Sequence, residues 1–549
     1  MHDMFTPAGI LGLTKRLVSI PSVTGSPQEN EAAQFIHELF RGSPYFREHP
    51  EHLRIFPAEE AGLKRCAVLA FVRASRPTAR TVLLNGHFDV VGSAPAAFDA
   101  EAYTGRLRAE CLPADAAADL ESGNWLFGRG VMDMKCGLAL FIAYMLRMAS
   151  RRDEFGVNLL FLAVPDEEGD SAGMRGALPH LNAFILENSL DLAAALSGEP
   201  AFWSPGCEGE KGERVFFTGT TGKIMPVFFC LGREAHAGFC FEGISAAAIA
   251  SEVVRQMEGN AEFIDRAGDE FLPPPVCLKL KDLREAYSVT LPERAVTYFN
   301  VLTATRAPAQ ILGMCVKAAG TALDAAIESQ RQAFRAYAER SGTKADLPRR
   351  EPRVCSFSEV LAALERKMGS KDAVRDMIGA FIGTLDPETD CRDKGIAVID
   401  RAVTEAGISG PAIVVGFLPP YYPHRINLRK SAGERLLRSA METVCAEAGE
   451  RAGNVRLVEC FTGIMDLSFM GFQGERSDLL ALAGNMPGWG EIYSLPMDDL
   501  LSLDVPIANA GPAGKDAHSA AERLELGFSL EESPRMLERL IGLLAAGGP

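Results

Sequence analysis

The chain has 549 residues, of which 47% are hydrophobic and 23% are charged, which is the composition of a globular protein long enough for two or three domains. Its formal net charge of −16 argues against nucleic acid and anionic membranes as partners, because both favour basic surfaces. The N-terminus lacks the basic and apolar pattern of a secretory leader, and we find no run close to the roughly 20 apolar residues that span a bilayer. Twelve scattered cysteines without a Cys-x-x-Cys pair favour reduced thiols, and hence a cytoplasmic protein.

The first part of the chain alternates helical and strand patterns. Residues 8–20 and 28–40 have the apolar spacing of amphipathic helices, and residues 66–72 and 81–85 are apolar strands of the buried type. This alternation predicts an α/β fold, in which helices cover both faces of a mostly parallel sheet.

His87 follows the strand at residues 81–85, at the end of the strand where open α/β sheets usually bind ligands. Asp89 is two residues further on and shares a face with His87 if the backbone stays extended. Its carboxylate is then able to accept the ring N–H of His87 and leave the other ring nitrogen free for a metal. The alternative is a strand-end histidine followed by an aspartate in a turn.

Two further segments contain candidate acidic ligands. One precedes a predicted helix, and the other follows a predicted strand. Asp133 lies in a glycine-rich segment, residues 128–137, just before a helical pattern at 138–148, where it would otherwise only cap the helix. An apolar strand at 157–164 leads directly into residues 166–170, which contain four carboxylates. Carboxylates crowded at the end of a buried strand suggest a bound cation, although an exposed acidic loop is the alternative.

Two further apolar strands are each followed by a candidate metal ligand. A small apolar strand at 192–196 is followed by Glu199, and a strand at 505–509 is followed by a glycine-rich loop that contains His518. A final helical pattern at 531–544 closes the chain. The repetition of carboxylate or imidazole groups after apolar strands therefore predicts a metal centre more firmly than any single motif does.

Six motifs in order resemble the co-catalytic zinc peptidase and deacylase family, which includes glutamate carboxypeptidase, aminoacylase, succinyl-diaminopimelate desuccinylase and acetylornithine deacetylase. The motifs are Gly86-His87-Phe88-Asp89, Gly128-Arg129-Gly130 through Lys135, Asp166-Glu167-Glu168, Ser197-Gly198-Glu199-Pro200, Ala235-His236-Ala237-Gly238 and Ala517-His518 with Glu522. The segments 218–223, 419–424 and 463–468 look most like the arginine-utilisation branch of this family.

The resemblance implies two divalent metal ions, zinc in the first place, although manganese and cobalt accept the same ligands. Asp133 would bridge the ions, with His87 and Glu199 completing one site. Glu168 and His518 would complete the other site. The resemblance also implies a cis peptide after Asp133.

Catalytic roles follow from the same resemblance. Glu167 would be the general base for a water or hydroxide shared by the two ions, and Asp89 would hold the imidazole of His87. His236 would reach the oxyanion of the tetrahedral intermediate, against the alternative of a packed loop histidine. Arg306 resembles the arginine that binds a substrate carboxylate in the family, on a single short match.

The predicted domains are a catalytic domain in two parts, residues 1–212 and 426–549, and an inserted α+β lid of the dimerisation type at residues 213–425. The lid is about twice the usual family span because helical patterns at 309–340, 357–385 and 391–406 are added to it, with a break at 347–352. The family resemblance also implies a homodimer. The added helices are able to cover the surface through which the family usually dimerises, so they affect this expectation.

The expected function is therefore metal-dependent hydrolysis of an amide bond in a small N-acyl amino acid or a dipeptide-like substrate, with a place in arginine or amino-acid catabolism. Two alternatives stay open at this point. One is an amidohydrolase acting on a guanidino or ureido compound. The other is a metal-binding relative without catalysis, which the presence of Glu167 argues against, since that residue is not needed as a ligand.

Overall fold

The computed structural model describes residues 3–58, 64–204, 213–344, 346–347 and 351–547. The chain divides into two compact units. Unit 1 contains Met1–Thr221, His424–Phe472 and Asp498–Pro549, and unit 2 contains Gly222–Pro423 and Gln473–Met497. Residue 212, at the predicted domain boundary, and part of the predicted break at 347–352 lie outside the described residues.

In the described part of the chain the α-helices are α1 Pro7–Val18, α2 Gln28–Arg41, α3 Pro44–Glu48, α4 Ala100–Arg106, α5 Ala114–Ser122, α6 Cys136–Ser150, α7 Ala172–Asn188, α8 Ala246–Met257, α9 Pro308–Ser341, α10 Phe357–Met368, α11 Lys371–Ile382, α12 Cys391–Ala406, α13 Ala432–Ala452, α14 Arg476–Asn485, α15 Met497–Ser502 and α16 Ser533–Ala546.

The strands are β1 Leu53–Pro57, β2 Cys66–Val72, β3 Arg80–His87, β4 Trp125–Phe127, β5 Asn158–Val164, β6 Asp191–Ser197, β7 Ala201–Ser204, β8 Glu213–Phe217, β9 Gly219–Thr220, β10 Gly222–Leu231, β11 Arg266–Ala267, β12 Glu270–Phe271, β13 Val276–Asp282, β14 Arg294–Thr303, β15 Arg353–Ser356, β16 Ala412–Tyr422, β17 Arg425–Ile426, β18 Val455–Val458, β19 Ile507–Asn509, β20 Ala513–Lys515 and β21 Arg523–Glu525.

The central sheet of unit 1 has the strand order β1-β2-β5-β3-β6-β19. Strand β3 runs parallel to β5 and β6, and β6 runs parallel to β19, whereas β1 and β2 are antiparallel additions at one edge. The predicted α/β class with a central, mostly parallel sheet is confirmed. Because β3, β5, β6 and β19 point the same way, the loops that follow them start from one edge of the sheet.

The core of unit 1 forms around β3, β5 and α6. Strand β5 is buried along its whole length, and α6 packs against both strands with almost every side chain buried. An all-apolar helix of this kind stabilises a fold only when it is covered on all sides, and α1 packs on its outer face. The predicted helix at 138–148 and the predicted strand at 157–164 are therefore confirmed.

A second sheet of unit 1 has the order β18-β8-β7-β20-β21-β4. Its strands are short and come from four separate parts of the sequence, and the sequence analysis did not predict β4, β7, β20 or β21. This sheet matters for the site, because β4 precedes Asp133 and the loop between β20 and β21 contains His518.

Unit 2 is built on a five-stranded sheet with the order β13-β14-β10-β16-β15. Its predicted helix at 309–340 is confirmed as α9. The helical pattern at 357–385 is not continuous, because Gly369 adopts a left-handed φ of +74° that ends α10, and the side chain of Ser370 caps α11. Among the described helices, α9 alone has the length and composition to cross a membrane, which is weak evidence because core helices of soluble proteins share them.

Candidate metal centre

His87 is the last residue of β3 and is buried, with 1% of its surface exposed. Its Nδ1 lies 3.0 Å from the backbone oxygen of Asp89 and 3.4 Å from Asp89 Oδ1. An Nδ1–H donated to the backbone oxygen leaves a lone pair on Nε2. Asp89 therefore orients the ring with both its backbone oxygen and its carboxylate. The backbone oxygen is the closer of the two, whereas the sequence analysis expected the carboxylate to accept the ring N–H.

The Nε2 atom of His87 faces carboxylates. It lies 3.3 Å from Asp133 Oδ1, 3.3 Å from Glu199 Oε1 and 3.9 Å from Glu167 Oε2. Although it is buried, this nitrogen makes no hydrogen bond to any described residue. A buried lone pair surrounded by carboxylate oxygens fits a cation bound between them.

Asp133 is placed by the turn between β4 and α6. The Asp133–Met134 peptide is cis, as predicted. The carboxylate of Glu522 accepts a 2.5 Å hydrogen bond from Arg129 Nη1 and lies near the backbone N–H groups of Met132 and Asp133, which lower its pKa against the larger, raising effect of burial. Glu522 had a place in the sequence motif but no assigned role, and it lies beside the turn that presents Asp133.

The two carboxylate oxygens of Asp133 face different histidines. Oδ1 lies 3.3 Å from His87 Nε2, and Oδ2 lies 3.1 Å from His518 Nε2. His518 Nε2 is in turn 2.9 Å from Glu168 Oε2. The side chain of Asp133 therefore connects two clusters of nitrogen and oxygen donors, which is the arrangement needed to bridge two ions.

The loop after β5 is held by Asp89. Asp89 Oδ1 accepts a hydrogen bond from the backbone N–H of Glu167 at 3.1 Å, and Oδ2 accepts one from that of Glu168 at 3.2 Å. The hydroxyl of Thr24 also donates to Oδ2, at 2.8 Å. This fully buried carboxylate thus connects the His87 ring to the two acidic residues that follow β5.

Glu199 reaches the cluster because the backbones around it pack closely. A Cβ on Gly137, at the start of α6, would lie 2.0 Å from the backbone oxygen of Gly198. A Cβ on Gly86 would lie 2.4 Å from Met134 Cε. At position 137 only glycine allows this approach, because the neighbouring atom belongs to the backbone, whereas the Met134 methyl beside Gly86 is the end of a flexible side chain. The approach of Gly137 to Gly198 brings the start of α6 next to the loop that carries Glu199.

The electrostatics of the cluster reflect an excess of negative charge. Burial, and after it the carboxylate of Asp133, raises the pKa of Glu199 to about 7. Burial also raises the pKa of Glu167 well above its ordinary value, and Glu199 adds to this. Hydrogen bonds with Asp133 and Glu168 raise the pKa of His518 to about 10. Each raised pKa means that the group holds a proton more tightly, because the cluster has an excess of negative charge. Bound cations would neutralise the same charge.

The nitrogen and oxygen donor atoms of this cluster fit divalent ions. Two groups of donor atoms each lie within 4.8 Å of one another, namely His87, Asp133 and Glu168, and His87, Glu167 and Glu199. Imidazole nitrogen and carboxylate oxygen are ligands of zinc, and manganese and cobalt bind the same set. The predicted ligands His87, Asp133, Glu168, Glu199 and His518 are therefore brought together in unit 1.

The other two predicted site residues lie in unit 2. His236 is exposed, and its Nδ1 accepts a hydrogen bond from the backbone N–H of Gly238 at 3.1 Å. Arg306 Nη2 donates to the backbone oxygen of Ile264 at 3.1 Å, and its Nη1 is buried without a hydrogen bond to any described residue. The roles given to these two residues stay predictions.

The sequence analysis gave no role to two buried charged groups beside the cluster. Asp466 is buried, and burial raises its pKa to about 7. Lys135 is completely buried, donates to the backbone oxygen of Ile20 at 2.7 Å, and has its pKa lowered to about 7 by burial. Lys135 ends the second sequence motif, but nothing in that motif predicted its burial, because a lysine at the start of a helix is usually exposed.

Residues 83–478 match the family model described as Peptidase family M20/M25/M40. Over 548 residues the chain is 34% identical to the protein YqjN of Bacillus subtilis (strain 168), covering 97% of this chain and 96% of YqjN. It is 27% identical over 539 residues to Protein RocB of the same organism, covering 96% of this chain and 93% of RocB.

A solved structure gives the same fold. The tripeptidase SAV1512 of Staphylococcus aureus subsp. aureus Mu50 aligns with a TM-score of 0.50 at 13% identity, covering 99% of this chain and all of that chain. At this identity the similarity concerns the fold alone.

Proposed function

The chain belongs to peptidase family M20/M25/M40 and is a hydrolase of that family, and on this premise we propose that it cleaves an amide bond in a small N-acyl amino acid or a dipeptide-like substrate. The observation that carries the proposal is the placement of Asp133, whose two oxygens face His87 and His518 at 3.3 and 3.1 Å. Divalent ions held there, zinc in the first place, supply Lewis acidity for the scissile carbonyl and for the attacking water.

Glu167 is the general base of the proposed reaction. Its carboxylate lies 3.9 Å from His87 Nε2, and burial raises its pKa well above that of an ordinary glutamate. A carboxylate of raised pKa accepts a proton more readily at neutral pH. It takes the proton from water as the oxygen bonds to the carbonyl carbon, and it returns the proton to nitrogen as the C–N bond breaks.

Asp89 is a positioning residue in this scheme. It faces the ring of His87 and accepts the backbone N–H groups of Glu167 and Glu168. A change at Asp89 would therefore disturb a ligand and the base together. Removing such a support typically costs 10–100-fold in metal affinity or activity.

The proposed setting is amino-acid catabolism in the cytoplasm. The resemblance of segments 218–223, 419–424 and 463–468 to the arginine-utilisation branch supports arginine-derived substrates as the first to examine. Each described cysteine is free, which supports a reducing compartment. His236 and Arg306 are proposed to contact the substrate, and the chain is proposed to form a homodimer, which light scattering of the purified protein would measure.

The test is a hydrolysis screen with zinc-loaded protein against N-acyl amino acids and dipeptides, including those of arginine. We expect saturable release of the amino acid from at least one substrate, with kcat/KM in the enzymatic range of about 10⁴ M⁻¹s⁻¹ or more. Ureido and guanidino compounds form the comparison arm. Turnover of these compounds alone would replace the proposal with the amidohydrolase, and metal binding without any turnover would favour the non-catalytic relative.

A further inference from the structure

Unit 2 contains a pocket of about 380 Å³ that the proposed reaction does not use. It is lined by α10 and α11, which belong to the helical addition of the lid, and by α14 with the segment that follows it. Its volume lies within the range of roughly 300–1,000 Å³ found for small-molecule sites.

The pocket walls are helix faces with regular spacing. Helix α10 contributes Phe357, Leu361 and Glu365, four residues apart, and helix α11 contributes Lys371, Val374, Arg375 and Ile378. Helix α14 contributes Leu480, Ala483 and Gly484. Residues three and four apart share one face of a helix, so each of the three helices directs one face into the same space.

An aromatic side chain closes the remaining side. Trp489 is half-buried and lines the pocket together with Met486. Its ring packs edge-on against Tyr493 at a centroid distance of 6.1 Å, and the Tyr493 hydroxyl donates to the backbone oxygen of Tyr421 at 2.7 Å. The tryptophan is therefore held in place and offers a flat apolar wall.

Three charged side chains without partners line this apolar space. In the described part of the chain the side chains of Lys371, Glu365 and Glu491 form no hydrogen bond or ion pair. Arg375, which also lines the pocket, is by contrast paired with Asp372 at 3.1 Å. Lys371 offers a free positive charge, and the two glutamates offer free negative charges.

The spacing of these charges defines the length of a ligand. Glu491 Oε1 lies 3.8 Å from the position that a Cβ on Gly379 would take, so this carboxylate is next to the last turn of α11. Lys371 is the first residue of α11, and the eight helical steps from Lys371 to Gly379 correspond to a rise of about 12 Å. The reach of both side chains shortens the gap that a ligand has to bridge.

We infer that this pocket is a binding site for a short apolar peptide with free termini, such as an apolar dipeptide. The ligand carboxylate pairs with Lys371, and its ammonium group pairs with Glu491. The apolar side chains of the ligand lie along Val374, Ile378 and Leu361. A free α-amino acid does not fit, because both of its charges are attached to one carbon atom and cannot face both ends of the pocket.

The experiment is isothermal titration calorimetry with L-leucyl-L-leucine and the full-length, metal-loaded Glu167→Gln variant, so that no ligand is cleaved. N-acetyl-L-leucyl-L-leucine lacks the ammonium group, L-leucyl-L-leucinamide lacks the carboxylate, and free L-leucine is too short to bridge the pocket. The same titrations with Lys371→Gln added report binding at the metal centre alone. We expect saturable, Lys371-dependent binding of the dipeptide at millimolar concentration or below, and at least about tenfold weaker Lys371-dependent binding of the three comparison compounds.

Two pocket variants locate the site. Lys371→Gln removes the free cation, and Ala483→Phe fills the apolar space. We expect each to weaken binding about tenfold or more, whereas Arg366→Gln, which removes a positive charge from α10 outside the pocket lining, should leave the dissociation constant unchanged. If Ala483→Phe does not fold, Lys371→Gln still decides the matter, because Lys371 is exposed.

Several results would overturn the inference. These are the absence of a saturable binding event that Lys371→Gln weakens, and equal affinity of that event for a blocked dipeptide or for L-leucine. Binding at the metal centre remains in Lys371→Gln, so it is counted separately from binding at the pocket. The outcome for the pocket therefore does not depend on whether the metal centre hydrolyses anything.

Discussion

Asp89 Oδ1 accepts a hydrogen bond of 3.1 Å from the backbone N–H of Glu167, while the same carboxylate faces the ring of His87. One buried side chain thus sets the position of a proposed ligand and of the proposed base. This relationship explains why a His-x-Asp pair at the end of β3 and an acidic loop after β5 have to be considered as one site.

The first prediction concerns the general base. Glu167→Gln should keep the bound metal but lower kcat by about 10²- to 10⁴-fold, because glutamine keeps the shape of the side chain and cannot accept the proton. Kinetics and metal content by mass spectrometry on the same preparation check this. Glu168→Gln is the matched variant, and it should lose metal as well as activity. Equal kcat in Glu167→Gln and wild type would remove Glu167 from the mechanism.

The second prediction concerns the bridging position. Asp133→Ala should lower the metal content towards zero, because each oxygen of Asp133 serves a different donor group. His518→Ala should instead reduce it towards about one ion per chain, since the donors around His87 remain. Metal analysis after dialysis against metal-free buffer distinguishes the two. An Asp133→Ala protein that retains both ions would contradict the bridge.

The third prediction concerns metal removal. Chelation should lower the melting temperature by several degrees, because the carboxylates of Asp133, Glu167, Glu168 and Glu199 then repel one another without a neutralising cation. Binding to the folded state alone adds about 4 kcal/mol at a free metal concentration 1,000 times Kd. Differential scanning calorimetry with added zinc, manganese or cobalt measures the recovery. An unchanged melting temperature after complete metal removal would argue against a cation in this cluster.

The fourth prediction concerns the close approach of Gly137 and Gly198. Gly137→Ala places a methyl group 2.0 Å from the backbone oxygen of Gly198, so we expect a loss of about 1–3 kcal/mol in the free energy of unfolding and weaker metal binding through displaced Glu199. Gly12→Ala, in α1 with open space around the added methyl, should instead stabilise by about 0.5–1 kcal/mol. Denaturant unfolding measures both, and a neutral Gly137→Ala would refute the packing argument.

The fifth prediction concerns pH and His52. Burial lowers the pKa of His52 from 6.5 to about 4, and its Nδ1 lies 2.8 Å from the Tyr45 hydroxyl. Between these pKa values the unfolded chain binds a proton that the folded chain does not, so stability rises with pH. This contribution is present above pH 6.5 and is lost as the pH falls towards 4.

We expect His52 to account for a loss of roughly 1–2 kcal/mol between pH 7 and pH 5. His52→Gln should remove that part of the pH dependence, because an amide does not titrate. Urea unfolding of both proteins at the two pH values measures it, and the difference between them cancels the titration of the metal centre. Identical pH slopes would show that His52 titrates normally in the folded chain.

Much of the fold follows from local pattern. The apolar runs of β2, β5 and α6 were predicted within one or two residues, because a segment buried on all sides has to be apolar along its whole length. The place of His87, Asp133 and Glu199 beside predicted elements followed from the same reading. The helical pattern at 357–385 was predicted as one helix, and the turn at Gly369 was missed. One glycine within a helical spacing does not by itself predict that the helix ends there.

By itself, the sequence determined which residue types stand after the apolar strands and, through six ordered motifs, the family to which the chain belongs. Only the tertiary structure decided that Asp133 directs one oxygen to His87 and the other to His518, and that the buried side chains of Glu522 and Lys135 lie beside this arrangement. The physical reason is that these contacts join segments from distant parts of the chain. The second sheet of unit 1 and close glycine packing bring the segments together, and no local spacing of residues encodes such distances.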